Sequence, residues 1–173
     1  MMRMAGRMAD GVLLNNVPLE YVPYAITRLR KGAESGRRDF GEFDVGNLNV
    51  FAVSEDREEA RERVRRQLPI DFISISEREL SAVGLSLTDV EPIRTALKRQ
   101  FPEDFMKASE FVTDYMMEKF SVSGTPEDCV KRMKDYEKAG VTRILLGLST
   151  SPRDRPEETL RLAGESIMAE FTE

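Results

Sequence analysis

The stretch Ser121-Val-Ser-Gly-Thr-Pro-Glu-Asp-Cys-Val-Lys-Arg-Met-Lys-Asp-Tyr-Glu-Lys-Ala-Gly-Val-Thr-Arg-Ile-Leu-Leu-Gly147 decides how the chain is read. It describes one complete helix feeding one buried strand. The Thr125 hydroxyl can accept a free first-turn N–H, and Pro126 takes the first helical position, where no donor is missed. Glu127 and Asp128 set negative charge at the positive end of the helix dipole. Val130, Met133 and Tyr136 form an inward stripe. Gly140 can adopt the left-handed conformation that ends a helix. The nearly all-apolar run Val141 to Leu146 then reads as a strand of a parallel sheet buried on both faces.

Working outward, the same alternation recurs. Residues 2–9 read as a helix, Val12-Leu13-Leu14 as a short strand, and Asn15-Asn16 as its polar end. Pro18 opens a helix carrying Val22, Ala25, Ile26, Leu29 and Ala33 at helical spacing, and Gly36 closes it. Asp39 to Gly46 reads as a loop and Leu48 to Val53 as a second buried strand. Asp56 caps the next helix, with Glu59 as its capping-box partner. After Pro69, the run Ile70-Asp-Phe-Ile-Ser-Ile fits a strand or a buried helix, and helix is preferred. Thr88, with Glu91, is the expected cap of a further helix, stopped by Phe101-Pro102. One more helix is expected through Phe105, Ala108, Phe111, Val112, Tyr115 and Met116. A last one follows Pro156, with Leu160, Ala163, Ile167 and Phe171 inward. The fold class is therefore α/β, a parallel sheet with helical crossovers. Val12–Leu14, Leu48–Val53 and Ile144–Leu146 should be neighbours in that order, and residues 67–120 read as a helical insertion within a single domain spanning 1–173.

Composition narrows the chemistry. The chain has 173 residues, 40% hydrophobic and 33% charged, with net charge −5, which speaks against a nucleic-acid surface. Arg28, Arg30, Lys31, Arg37 and Arg38 form a basic patch, read as a solvated helix end or an anion contact. The sequence has no His, so Ser-His-Asp and Cys-His catalysis and His-ligated metal sites are excluded, and no metal is expected. A single cysteine, Cys129, forbids an intrachain disulfide and suits a reducing, cytoplasmic setting. No apolar run approaches membrane-spanning length and the N-terminus lacks a signal-peptide core. Any redox chemistry must come from a bound cofactor. Glu55 and Asp56, adjacent at a helix start, read as caps rather than an acid–base pair, and the Met-rich start as core packing.

Four segments resemble a known family when taken in order. They are Ala5-Gly6-Arg-Met-Ala-Asp10-Gly-Val-Leu-Leu-Asn15, Phe51-Ala-Val-Ser-Glu-Asp-Arg-Glu-Glu-Ala60, Ser123-Gly-Thr-Pro-Glu-Asp128 and Ala139-Gly-Val-Thr-Arg-Ile-Leu-Leu-Gly147. They are similar to the closing steps of bacterial-luciferase-like enzymes, above all the branch that reduces methylenetetrahydromethanopterin with coenzyme F420. The resemblance implies a TIM barrel of which this chain matches the last three strands, and a hydride-transferring oxidoreductase using coenzyme F420 or, alternatively, FMN. It also implies that the phosphate loop and the wall behind the cofactor ring lie in the barrel half this chain does not match. The isolated chain is then expected to bind cofactor weakly, and to dimerise or to dock onto an N-terminal half. The alternative is a non-catalytic binding half that docks in the same way. Chemistry in such barrels sits at the C-terminal strand ends, which are here Asn15 and Asn16, Ser54, and Gly147. Each also has a plain structural reading: a βα turn, a helix cap, and a close backbone approach.

Overall fold

The computed structural model describes residues 1–97, 103–149 and 151–171. Its sheet has four parallel strands: β1 (Gly11–Asn15), β2 (Asp44–Val53), β3 (Ser121–Gly124) and β4 (Arg143–Gly147). β2 is the centre. β1 pairs with its first half, Gly11 opposite Asp44 through Asn15 opposite Leu48. β4 pairs with Gly46–Val50, and β3 with Val50–Val53. The expected parallel order of the three main strands, with β2 in the middle, is what the structure shows. The sheet is thus an arc of a (β/α) barrel.

Alternation along β2 explains how three strands share two edges. The N–H groups of Asp44, Val50 and Ser54 bond Asp10 O, Asn16 Oδ1 and Gly124 O respectively. These residues are an even number apart, so all three donors point to one edge. β3 therefore takes over that edge where β1 ends, and the Asn16 side chain bridges the gap. The opposite edge carries β4, as the bond from Thr142 N–H to Val45 O records.

One sheet face is covered by α1 (Met2–Met8), α2 (Val22–Ser35), α9 (Pro126–Lys138) and α10 (Pro156–Leu162). Leu14, Leu29, Val45, Phe51, Val53, Met133, Tyr136 and Ile167 form its core. Between β2 and β3 run α3 (Arg57–Gln67), α4 (Asp71–Ser74), α5 (Glu77–Ala82), α6 (Leu87–Leu97), α7 (Glu103–Ser109) and α8 (Asp114–Phe120). They build a second core around Val64, Leu68, Phe72, Ile93 and Phe120, closed against Ala52 of β2. Arg63, only 1% exposed, locks the two parts together. Its guanidinium donates to Val53 O and Thr159 Oγ1 and pairs with Glu59 and Glu158, at 2.9–3.3 Å.

Several local expectations need correction. β2 starts at Asp44 rather than Leu48, because Thr142 supplies polar partners there: its hydroxyl donates to Asp44 Oδ1 and accepts from Val45 N–H. β3 was not expected, since four small residues ending at Gly124 (φ 136°) leave no hydrophobic signature. The helix expected through residues 105–116 is two, α7 and α8, with Thr113 capping the second through Met116 N–H. α6 begins before Thr88: Ser86 donates to Asp89 Oδ2 from both N–H and hydroxyl, a start signalled by Ser-x-x-Asp instead of Thr-x-x-Glu. Asp56 caps α3 as expected, accepting from Glu58 and Glu59 N–H, but the reciprocal half of the capping box is replaced: Glu59 accepts from Ser54 Oγ and pairs with Arg63, and Asp56 N–H bonds Ser54 Oγ. Leu160 is exposed, and Thr159 and Leu162 face inward instead. Met4 and Met8 are exposed, not packed in a core. The helix stop expected at Phe101-Pro102 lies outside the described residues.

α1 meets α2 glycine to glycine. A Cβ on Gly6 would stand 2.0 Å from Leu29 O, and one on Gly32 would stand 2.2 Å from Arg3 O. Gly32→Ala should therefore cost about 1–3 kcal/mol and undock α1. Gly164→Ala, with nothing within 4 Å of the added methyl, is the control. Urea denaturation with hydrogen exchange along α1 reads both, and an unchanged midpoint for Gly32→Ala would refute the close packing.

Candidate functional site at the strand ends

Two buried asparagines on β2 organise the end of β1. Asn47 and Asn49 are both 0% exposed and lie on the helix-covered face, two residues apart. Asn47 Oδ1 accepts from Val17 N–H at 3.3 Å, and its Nδ2 donates to Val17 O at 3.2 Å and to Asn49 Oδ1 at 3.0 Å. Asn49 Nδ2 returns a bond to Asn47 O. Tyr136 reaches the same Val17 carbonyl from α9, and its hydroxyl pKa is pushed up to about 12 by burial. The turn after β1 is thus fixed in place by side chains from β2 and α9.

That turn presents Asn15 and Asn16. Asn15 is exposed and ends β1. Asn16 is 6% exposed and sits at φ 47°, a left-handed conformation that Asn tolerates better than most residues. Its Oδ1 accepts from Val50 N–H, which fixes the amide orientation, and its buried Nδ2 makes no well-formed hydrogen bond but lies close enough to Asp71 to favour that carboxylate. Over both residues, α4 brings Asp71. Asn15 Nδ2 makes a long 3.5 Å contact with Asp71 Oδ1. Burial drives the Asp71 pKa up to about 6, and the two asparagine amides pull it only partly back. No Lys or Arg pairs with Asp71 among the described residues.

These residues close one end of a groove of about 680 Å³ along the outer edge of β1. Met4 and Met8 of α1 line one wall, and Ser74, Ile75 and Glu79 the other. Beyond the groove the second sheet face is partly open, with Leu48, Leu145 and Gly147 half-buried. Leu13 is 55% exposed, and Leu13 and Leu145 flank bare Gly46. Gly147 sits over the Asn49 carbonyl, where a Cβ would approach to 3.2 Å.

The structure brings Asn15 and Asn16 together and sets Gly147 across β2 on the open face, roughly 12 Å from Asn15 by strand spacing and register. It does not bring Ser54 to them. Ser54 lies four residues beyond Val50, about 13 Å further along β2. It is 2% exposed and engaged with Glu59 and Asp56. Asp71, Asn47 and Asn49 escaped the sequence reading. An Asn-x-Asn alternation inside an apolar strand is a signal for the last two. Asp71 carries none, since only the folding of α4 over β1 puts it there.

The sequence and the fold resemble those of known proteins. The model of the luciferase-like monooxygenase family matches residues 1–143. The chain belongs to this family. Its luciferase-like sequence is 30% identical, over 97% of its length, to a 5,10-methylenetetrahydromethanopterin reductase from Methanolobus tindarius, and 28% identical over its whole length to one from Methanopyrus kandleri. The solved structure of the coenzyme F420-dependent tetrahydromethanopterin reductase from Methanopyrus kandleri superposes with a TM-score of 0.82 at 25% identity, covering 99% of this chain and 48% of that one. The chain spans about half the length of the curated relatives it matches. Among the described residues no helix is long and apolar enough to cross a membrane and no metal-binding cluster occurs. Cys129 is free and buried, its pKa raised to about 12, chiefly by burial.

Asp71 gives this luciferase-like half a measurable pH signature. Its folded pKa, near 6, lies above the unfolded value of 3.8, so the folded state holds the proton more tightly. Stability should then fall as pH rises from about 4 to 6 and stay lower above that. Asp71→Asn should gain about 1–2 kcal/mol at pH 7, allowing for partial exposure, and nothing near pH 3.5. Thermal or urea unfolding of both forms across that window is the check. A variant no more stable at pH 7 would contradict the environment described for Asp71.

Proposed function

We propose that this chain is the C-terminal portion of a coenzyme F420-dependent oxidoreductase, acting on a one-carbon pterin such as methylenetetrahydromethanopterin. The observation that carries the proposal is the superposition of essentially the whole chain on one half of an F420-dependent reductase. A bound deazaflavin would supply the hydride chemistry. The residues here fit one wall of such a site. Gly147, with no side chain of its own, leaves a floor of backbone beside the Leu48 side chain at the strand end, against which a planar ring can lie. Asn15 offers an exposed amide to its polar rim. Ser54 serves from below, by holding Glu59 against Arg63 at the start of α3. FMN is the alternative cofactor on the same floor. The lone buried thiol suits a cytoplasmic setting.

A second reading, a binding half without catalysis of its own, is favoured by the edges. Among the described residues β1 and β4 each pair on one side only, so each leaves an edge that another strand can pair with. In both readings the chain needs a complement: an N-terminal barrel half or a second copy.

Coenzyme F420 fluorescence, titrated against the chain alone and against the chain mixed with the N-terminal half of a relative, tests the proposal. Burial on one side only predicts a dissociation constant weaker than about 100 μM for the chain alone. The mixture should bind at least tenfold more tightly, and Asn15→Ala should weaken that by about tenfold, one charge-neutral hydrogen bond's worth. Submicromolar binding by the chain alone, or no gain in the mixture, would defeat it.

A further inference from the structure

The polar end of the β1 groove is chemically lopsided. Glu79, the other carboxylate of the groove, is committed to Ser76, whose N–H and hydroxyl both donate to it. Asp71 has the long 3.5 Å contact from Asn15 and the weak pull of the neighbouring Asn16 amide, and no cation among the described residues. A carboxylate has about four acceptor positions, so most of its capacity is unused. Beside it, Asn16 holds a buried N–H that makes no well-formed hydrogen bond and cannot turn away from the carboxylate, because Val50 fixes its oxygen. Burial of the carboxyl without a cation costs stability, as its pKa near 6 records.

We propose that Asp71 is a substrate-binding residue that grips the donor edge of a 2-amino-4-oxopyrimidine, the pterin ring class, with Asn15 and Asn16 positioning its carboxylate. The choice of pterin rests on the oxidoreductase reading, but the edge chemistry stands by itself. A carboxylate offers two parallel acceptors. A ring N–H and the neighbouring 2-amino group offer two parallel donors, the same match that makes Arg–carboxylate pairs bidentate. The pyrimidinedione edge of a deazaflavin or flavin presents carbonyl, N–H, carbonyl, and its two oxygens face a carboxylate with like charge. Asp71 therefore sorts substrate from cofactor: the pterin lies at the β1 end of the site, and the deazaflavin ring lies over the Gly147 floor.

The probes are 6-methylpterin and 6-methyllumazine, which differ by an amino group replaced by oxygen at position 2. Each is titrated into the chain at pH 7.5 while the side-chain amide NMR signals of Asn15 and Asn16 are followed. The expected result is a shift of both amides by 6-methylpterin, with at least tenfold preference over 6-methyllumazine. Asp71→Asn should abolish the preference, and since that variant is expected to be more stable, unfolding does not confound it. Unmoved amides at millimolar 6-methylpterin, or an unchanged preference in Asp71→Asn, would overturn the proposal. Loss of the oxidoreductase reading would look different: no coenzyme F420 binding in the reconstituted mixture, with the pterin preference intact.

Discussion

The arrangement depends on β2 being paired along both edges while carrying two fully buried amides on its covered face. An unpaired carboxamide in an apolar core costs roughly 1–3 kcal/mol, so Asn47 and Asn49 are tolerable only if their partners are fixed. Val17 supplies those partners, and in doing so it pins the turn that follows β1. Tyr136 joins the same carbonyl from α9. One network thus ties together the start of α2, the centre of the sheet and the helix that leads into β4. Asn16 can occupy a left-handed conformation there because the residues on both sides of it have no freedom to relax.

The two faces of the sheet have different fates. Helices bury one face completely around Phe51, Val53 and Leu14. The other is covered near the C-terminal half of β2 by the helices between β2 and β3, which pack on Ala52. Around Leu13 it is open, beside the half-buried Leu145 and Gly147, and the outer edges of β1 and β4 are unpaired among the described residues. Free edges beside apolar surface are sites where another strand adds readily. In a barrel this surface would be the interior, and the strand ends above it the site. A carboxyl that lowers stability, Asp71, stands at that rim, a cost of the kind that functional positions tend to carry.

Much of this was legible in the chain. The Thr125-Pro126 start and the Gly140 stop act locally, and the structure reproduces them: Thr125 and Asp128 form a capping box, and Gly140 takes φ 104°, while the apolar run after it becomes β4 from Arg143 to Gly147, half-buried rather than buried on both faces. The strand order followed from alternation of strands and helices. What failed were features set by distant residues. Asp44 joins β2 because Thr142, almost a hundred positions away, satisfies it. β3 exists because the edge of β2 is vacant past Asn16, not because Ser121–Gly124 favours a strand. Ser54 and Asn15 looked equivalent as strand ends until the length of β2 separated them. Asp71 reaches the strand ends only because α4 folds back over β1.

β1 and β4 each pair with β2 alone among the described residues, and amide hydrogen exchange resolved by residue reads whether their outer edges are free. Asn16 and Thr142 N–H point toward β2, so by alternation the N–H groups of Leu13, Asn15, Leu145 and Gly147 point away from it. In the isolated chain these four should exchange orders of magnitude faster than Leu14 and Leu146, and become protected when an N-terminal barrel half is added. Protection of Leu13 and Leu145 matching that of Leu14 and Leu146 in a monomer would contradict the account.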